Sequence, residues 1–248
     1  AAEVKRNYLA VVNNLKAIGA NAILFQIRPN NDAFYPSHLN PWSRWLTGQE
    51  GRGLNGFDPL AFMIQEAHRR GLAFHAWLNP YRVAGATPLW KKTYLNTLAP
   101  GNFARKHPEC VLSIRRKDGK NQLILDPGNP AVIRFLCNTV HEIVTKYDVD
   151  GIHLDDYFYP YDGTGSADRA TYLRFNRNRM SLEDWRRENV NTLVGSLSNV
   201  IRSCNARYHK NIQFGISPFG IWANVKTHPA GSLTKGSESY ALQHADTR

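Results

Sequence analysis

Hydrophobic residues follow two alternating periods along this chain. In four segments they recur at steps of three and four, which is typical of helices with one buried face. The first such segment covers residues 4–18 and ends at Gly19, and the others begin at Asp58-Pro59, Asn129-Pro130 and Ser181. Asp, Asn and Ser are residues that cap helix N-termini. Between the helices, a period of two predicts strands at 21–27 and 73–78, before Asp155-Asp156, and at 212–217.

The order of these elements is helix, strand, four times over, which indicates parallel βα units. Polar side chains gather towards the C-terminal end of each strand, where a (β/α)₈ barrel has its catalytic face. No Gly-rich turn follows the first strand, as a doubly wound sheet would require. We therefore predict an α/β fold, a TIM-type barrel forming one domain over 1–248. Because only four strands are apparent and a helix comes first, we expect a partial barrel that lacks the first strand and the last two or three. A hairpin is predicted around Asp118-Gly119, and the tail from Thr227 reads as a loop.

The strand that ends at Asp155-Asp156 carries the most distinctive chemistry. Side chains alternate between the faces of a strand, so Ile152 and Leu154 share one face while His153 and Asp155 share the other. A parallel strand buried on both faces is normally apolar throughout. The polar face therefore predicts a site. Two adjacent carboxylates resist ionising together, which separates their pKa values into an acid and a charged partner.

Composition narrows the range of partners. The chain has 248 residues, of which 42% are hydrophobic and 11% aromatic, including six Trp and eleven Tyr. Aromatic faces stack on sugars and bases but also fill cores. The net charge of +11 suits an anionic partner or a merely basic surface. No nucleic-acid motif is present, so we expect no nucleic-acid partner. No apolar run is long enough for a membrane span. The three cysteines lack metal-type spacing, and we predict no cofactor.

Several motifs together resemble one known family, the glycosyl-hydrolase-like 10 family. They occur in the family's order and comprise residues 21–29, 32–35, 75–82, 125–128, 150–160 and 217–222. The resemblance implies a TIM-type barrel of the bacterial cell envelope, often in a lipoprotein whose targeting segment lies outside this chain. The better understood members act on peptidoglycan glycan strands stripped of their peptides. The resemblance thus implies a glycoside hydrolase that cleaves amino-sugar strands.

Two mechanisms fit Asp155 and Asp156 as the catalytic pair. In the ordinary scheme two carboxylates flank the glycosidic bond. Adjacent residues at a strand end should point to different sides, so this pair would hardly flank the bond, and the acid would lie on another strand. In the substrate-assisted scheme the sugar's own acetamido oxygen attacks. We favour this second scheme, with Asp155 polarising the acetamido N–H and Asp156 acting as acid and base.

Further polar and aromatic residues near the strand ends are predicted to bind substrate. Arg28 could bind a carboxylate such as the lactyl group of muramic acid, or form a salt bridge. His153 could orient Asp155 or be a core histidine. The remaining candidates are the subsite residues His75, Trp77, Asn79 and Tyr81, the stacking residues Tyr157, Tyr159 and Trp222, and Ser217 at the end of the last strand.

Three alternative readings stay open. A non-catalytic glycan-binding barrel would share the fold, because fold does not fix function. A glycosidase acting on a polysaccharide other than peptidoglycan would share the carboxylates. His75, His153 and Asp155 resemble metal ligands in kind, but the spacing typical of a zinc site is absent.

Overall fold

A computed structural model describes residues 1–248 and contains a four-stranded parallel sheet. Its strands are β1 (Ala22–Arg28), β2 (Ala73–Leu78), β6 (Gly151–Leu154) and β7 (Gln213–Ile216), and they lie side by side in that order. Every neighbouring pair is parallel. All four strands coincide with predicted ones to within two residues, apart from the shorter β6. The sheet and its helices form part of a (β/α)₈-type barrel, so the predicted fold class is confirmed.

Four long helices, one before each of these strands, cover the outer face of the sheet. They are α1 (Ala2–Ala17), α3 (Pro59–His68), α6 (Pro130–Lys146) and α8 (Leu182–Tyr208). The predicted caps are present, because side chains of Asp58, Asn129 and Ser181 accept bonds from the first turns of α3, α6 and α8. None of the helices is both long and apolar enough to cross a membrane.

The core lies between this outer face and the helices. The sheet contributes fully buried apolar side chains at Phe74, Ala76 and Ile152, and α6 and α8 contribute Val140, Val144, Leu193 and Leu197. The inner face is polar in comparison. One rung across it joins Gln26, Trp77, His153 and Gly215. This division reproduces the two-faced pattern of the strand sequences.

A second sheet lies beyond the C-terminal end of β2, and the sequence predicts only its hairpin. It contains β3 (Arg82–Thr87), β5 (Asn121–Leu125) and β4 (Val111–Arg115), paired antiparallel in that order. β4 and β5 form a hairpin that turns at 116–120, where Gly119 adopts a φ of 78°, so the predicted hairpin is confirmed. Because β3 begins four residues after β2 ends, this sheet stands at the edge where the parallel strands terminate.

Short helices occupy the connections. They are α2 (Arg44–Thr47), α4 (Lys91–Thr97), α5 (Phe103–Lys106), α7 (Arg169–Phe175) and α9 (Ser239–Leu242), with a 3₁₀ turn at Pro108–Cys110. The tail is more ordered than a plain loop. The buried Glu238 carboxylate accepts bonds from Asn224 and Thr227, and the Gln243 carbonyl accepts a bond from the Tyr159 N–H at 3.1 Å.

Candidate active site

Asp155 and Asp156 lie at the C-terminal end of β6 and turn towards the same amide group. The Asn79 Nδ2 donates to Asp155 Oδ1 at 3.4 Å and to Asp156 Oδ2 at 3.2 Å. Strand alternation predicts that adjacent side chains diverge, but Asp156 has a φ of 41° in the left-handed region. A non-glycine residue rarely adopts this backbone, and it is found preferentially at functional sites. The turn brings both carboxylates to one side of the sheet edge, which corrects the prediction that they diverge.

Asp156 is held by three donors. Arg82 pairs with its Oδ2, Asn79 donates to the same oxygen, and the Tyr161 hydroxyl donates to its Oδ1 at 2.6 Å. The Asn79 side chain in turn accepts a bond from the backbone N–H of Arg82 at 2.9 Å. The charge of this carboxylate is therefore compensated, and its position is fixed from several directions.

Asp155 occupies a different environment. Burial raises the pKa of its carboxyl above the usual value, and the neighbouring Asp156 raises it further, while Trp77 and Arg82 oppose the rise. The Trp77 indole N–H is buried without a hydrogen bond of ordinary geometry. The two carboxylates thus differ in their surroundings, since Asp155 is the more desolvated one and Asp156 is paired with a guanidinium.

The side chains of His153 and Ser217 contact each other on the inner face, and His153 is two residues before Asp155 in the sequence. The His153 Nε2 and the Ser217 Oγ are 2.7 Å apart. Burial lowers the pKa of His153, against the opposing charge of Asp155. Both side chains lie on the inner face beside Asp155, as the alternation of β6 and β7 requires.

Arg28 does not reach a substrate, which corrects its predicted role. Its side chain is completely buried, and it donates to the carbonyls of Asn79 (2.7 Å) and Pro80 (3.2 Å) and to side chains of Asn31 and Asn40. Burial lowers its pKa to about 10. Arg28 therefore fixes the segment that carries Asn79, and neither predicted role, carboxylate binding or a salt bridge, is realised.

The predicted substrate-binding roles of three aromatic residues are also corrected. Tyr81, Tyr157 and Tyr159 are at most 1% exposed, so their rings have no free face to offer a sugar. Tyr159 packs against α8, where its hydroxyl accepts a bond from Asn189 at 3.0 Å. These rings support the loops behind the site.

Two further candidates lie away from the aspartates. His75 pairs with Gly151 in the sheet, four residues before Asp155, and strand rise places it roughly 13 Å from the end of β6 that carries the site. Its ring covers Gly151, where an added Cβ would lie 2.4 Å from Nδ1. The Trp222 ring is covered by the Arg248 guanidinium at 3.1 Å, and its indole N–H donates to Asp246. Neither residue has a position that supports its predicted subsite role.

A groove of about 660 Å³ opens beside Asp156. Arg82 and Tyr161, which both bond to Asp156, line it, and so do Trp45 and Glu50 from the loop between β1 and α3. None of these four residues was assigned a role from the sequence. Arg82 and Tyr161 follow the two strand-end motifs closely enough to be suspected, but nothing in the pattern around Trp45 marks it. No group of three or more His, Cys, Asp or Glu side chains is arranged to hold a metal ion.

The family model named glycosyl hydrolase-like 10 matches residues 2–248. The chain belongs to this family. It is 43% identical over 250 residues to glycosyl hydrolase YngK of Bacillus subtilis (strain 168), covering 99% of this chain and 46% of that protein. It is 38% identical over 241 residues to glycosyl hydrolase DigH of Escherichia coli (strain K12), covering 96% of this chain and 53% of that protein. The chain thus spans about half the length of these curated relatives.

Solved structures support the fold of this family member. The glycoside hydrolase domain of PgaB (BpsB) from Bordetella bronchiseptica superposes with a TM-score of 0.58 at 16% identity, over 97% of this chain and 64% of that one. Alpha-L-fucosidase isoenzyme 2 from Paenibacillus thiaminolyticus gives a TM-score of 0.50 at 18% identity, over 82% and 27%. At these identities the likeness concerns the fold alone, and it agrees with a partial barrel of the glycosidase type.

Proposed function

We propose that this family member contributes the catalytic edge of a glycoside hydrolase that cleaves amino-sugar glycan strands of peptidoglycan in the bacterial cell envelope. Membership of a hydrolase-like family supports the reaction class. The observation that carries the proposal is the arrangement of Asp155 and Asp156. One amide donates to both carboxylates, their surroundings differ, and an open groove lies beside them.

The two environments suit substrate-assisted hydrolysis. In this scheme the acetamido oxygen attacks the anomeric carbon, the bond to the leaving oxygen breaks, and water later opens the cyclic intermediate. The enzyme must donate one proton to the leaving oxygen and hold the acetamido N–H. The leaving oxygen and the acetamido nitrogen are substituents of neighbouring carbons of one sugar, which agrees with two carboxylates close enough to share the Asn79 amide.

The contacts favour exchanging the roles predicted from the sequence. Burial raises the pKa of Asp155, and of two carboxyl groups the one with the raised pKa is better suited to give a proton to the leaving oxygen. The Asp156 carboxylate, paired with Arg82, suits the acceptor that orients the acetamido N–H. His153, bonded to Ser217, stands beside Asp155 and can orient it.

The mechanism is tested by the stereochemistry of the product and by dependence on the acetamido group. We expect the full-length protein to release a product that retains the anomeric configuration. We also expect strands whose acetamido groups have been removed to be cleaved at a rate at least about a hundredfold lower. Inversion, or equal cleavage of both substrates, would contradict the substrate-assisted scheme. Binding of the strands without any cleavage would favour the non-catalytic barrel.

A further inference from the structure

Trp45 is presented to solvent on a short helical turn that the surrounding contacts hold in place. It lies in α2, where the Ser43 side chain accepts from its backbone N–H and Gly48 ends the helix in the left-handed region. Arg44 pairs with Glu50 at 3.1 Å, and Glu50 also accepts a bond from Asn102 at 2.8 Å. The turn is thus tied to a second loop. A side chain on such a support changes position little when a ligand arrives, which limits the entropy lost on binding.

The indole is oriented as well as exposed. The Asn30 side-chain amide has one orientation in which both of its polar groups are bonded. In that orientation the amide nitrogen of Asn30 donates to the Pro29 carbonyl at 3.0 Å, and the amide oxygen accepts from the Trp45 indole N–H at 3.3 Å. The one polar group of the ring is therefore held by the protein. Trp45 remains 68% exposed, and it lines the same groove as Asp156.

The groove favours recognition by stacking over recognition by charge. Its charged side chains are three acidic and three basic ones, Asp32, Glu50, Asp156, Arg44, Arg82 and Arg116. Four of these six already pair with each other, Arg44 with Glu50 and Arg82 with Asp156. A ligand with an apolar face and polar edges matches a flat aromatic ring bordered by such pairs. A pyranose ring has this character. The groove volume is also within the range of sites that take a ligand of several ring units.

We propose that Trp45 forms a distal sugar-binding subsite, in which its indole stacks on a pyranose ring of the glycan at least one unit away from the bond that Asp155 and Asp156 cleave. This subsite rests on the proposed function, which identifies the polymer as a glycan strand. It extends the candidate active site along the groove. The protein then holds several consecutive sugar units and binds long strands in preference to short ones.

The test measures the affinity of the full-length protein for peptide-free glycan strands, separated by length, using calorimetry. An Asp155→Asn background prevents cleavage during the titration. We expect Trp45→Ala to weaken binding of long strands about tenfold, as for loss of one well-packed aromatic contact, and to leave binding of the disaccharide unchanged. Trp45→Phe should recover most of the affinity. Trp90→Ala is the matched control, because Trp90 is 72% exposed and does not line the groove.

The outcomes separate this subsite from the hydrolase proposal. If Trp45→Ala leaves long-strand affinity unchanged, or weakens long and short strands equally, the subsite is refuted whether or not the unsubstituted protein cleaves glycan. If Trp45→Ala instead lowers the unfolding temperature without changing affinity, Trp45 packs against another part of the full-length protein and the subsite is also refuted. A selective loss on long strands supports the subsite even if no cleavage is detected.

Discussion

Replacing Arg28 distinguishes a structural role from substrate binding. Its guanidinium is buried without a carboxylate partner and donates to the carbonyls of Asn79 and Pro80. The substitution Arg28→Met keeps an apolar stem and removes every donor. Each buried carbonyl left without its donor costs about 1–3 kcal/mol, so the loss of the bonds to both carbonyls should cost about 2–6 kcal/mol.

Arg28→Lys gives an intermediate case. A lysine keeps the charge and can reach one carbonyl, but it lacks the fork that joins four acceptors, so we expect about half the destabilisation. Arg69→Met is the control, because Arg69 is a largely exposed partner of Glu66 and exposed pairs contribute about 1 kcal/mol or less. Denaturant unfolding of the full-length variants measures these differences, and kcat and KM on glycan strands are measured in parallel.

The structure predicts that Arg28→Met lowers both stability and kcat, because Arg28 anchors the segment whose Asn79 side chain bridges the two aspartates. A raised KM with unchanged stability and kcat would refute this reasoning. That result would instead indicate that Arg28 contacts a carboxylate of the substrate.

Two further predictions each concern a single residue. Tyr161→Phe removes the hydroxyl that donates to Asp156 at 2.6 Å, and because bonds to charged groups contribute about 1.5–3 kcal/mol we expect kcat to fall at least about tenfold with KM little changed. An unchanged kcat would show that Asp156 does not depend on this donor. Asp126 is fully buried, and burial raises its pKa to about 6. Since the folded chain prefers its protonated form, the stability it contributes is present below about pH 4 and is lost as the pH rises through 6. Asp126→Asn should therefore stabilise the protein by up to about 3 kcal/mol at pH 7.5 relative to its effect at pH 4, measured by thermal unfolding at both values. A pH-independent effect would contradict the assigned pKa.

The parallel units of the fold could be predicted because their signals are local. Each signal depends only on the residues of one element. Alternating apolar residues predict the strands at 73–78 and 212–217, and capping residues such as Asp58 and Asn129 predict where a helix begins. The third strand of the antiparallel sheet could not be predicted, because β3 has the sequence Arg-Val-Ala-Gly-Ala-Thr, with small residues that give little strand pattern. Its pairing depends on β5, which lies more than thirty residues later.

The position of the two aspartates at a strand end could be predicted for the same reason, but the surroundings of the other candidate residues could not. Polar residues at strand ends indicate a site, and Asn79 and Trp77 are indeed beside the pair. An aromatic residue after a strand has no sequence feature that tells whether its ring is free. Tyr159 is covered by α8, which follows it by more than twenty residues, whereas Tyr161 remains exposed at the groove. Only the three-dimensional packing decides between them.

The most direct test of the central claim is release of reducing ends from peptide-free peptidoglycan strands by the full-length protein, compared with Asp155→Asn and Asp156→Asn. Asp162→Asn serves as the matched control, since the only ion pair of this nearby carboxylate is a long one, 3.8 Å from the exposed Lys117. We expect release by the unsubstituted protein and by the control. Each of the two other variants should lose about a hundred- to ten-thousandfold in rate, as for removal of an acid or base. Binding without release, or full activity in either variant, would contradict the assignment of the chemistry to this strand end.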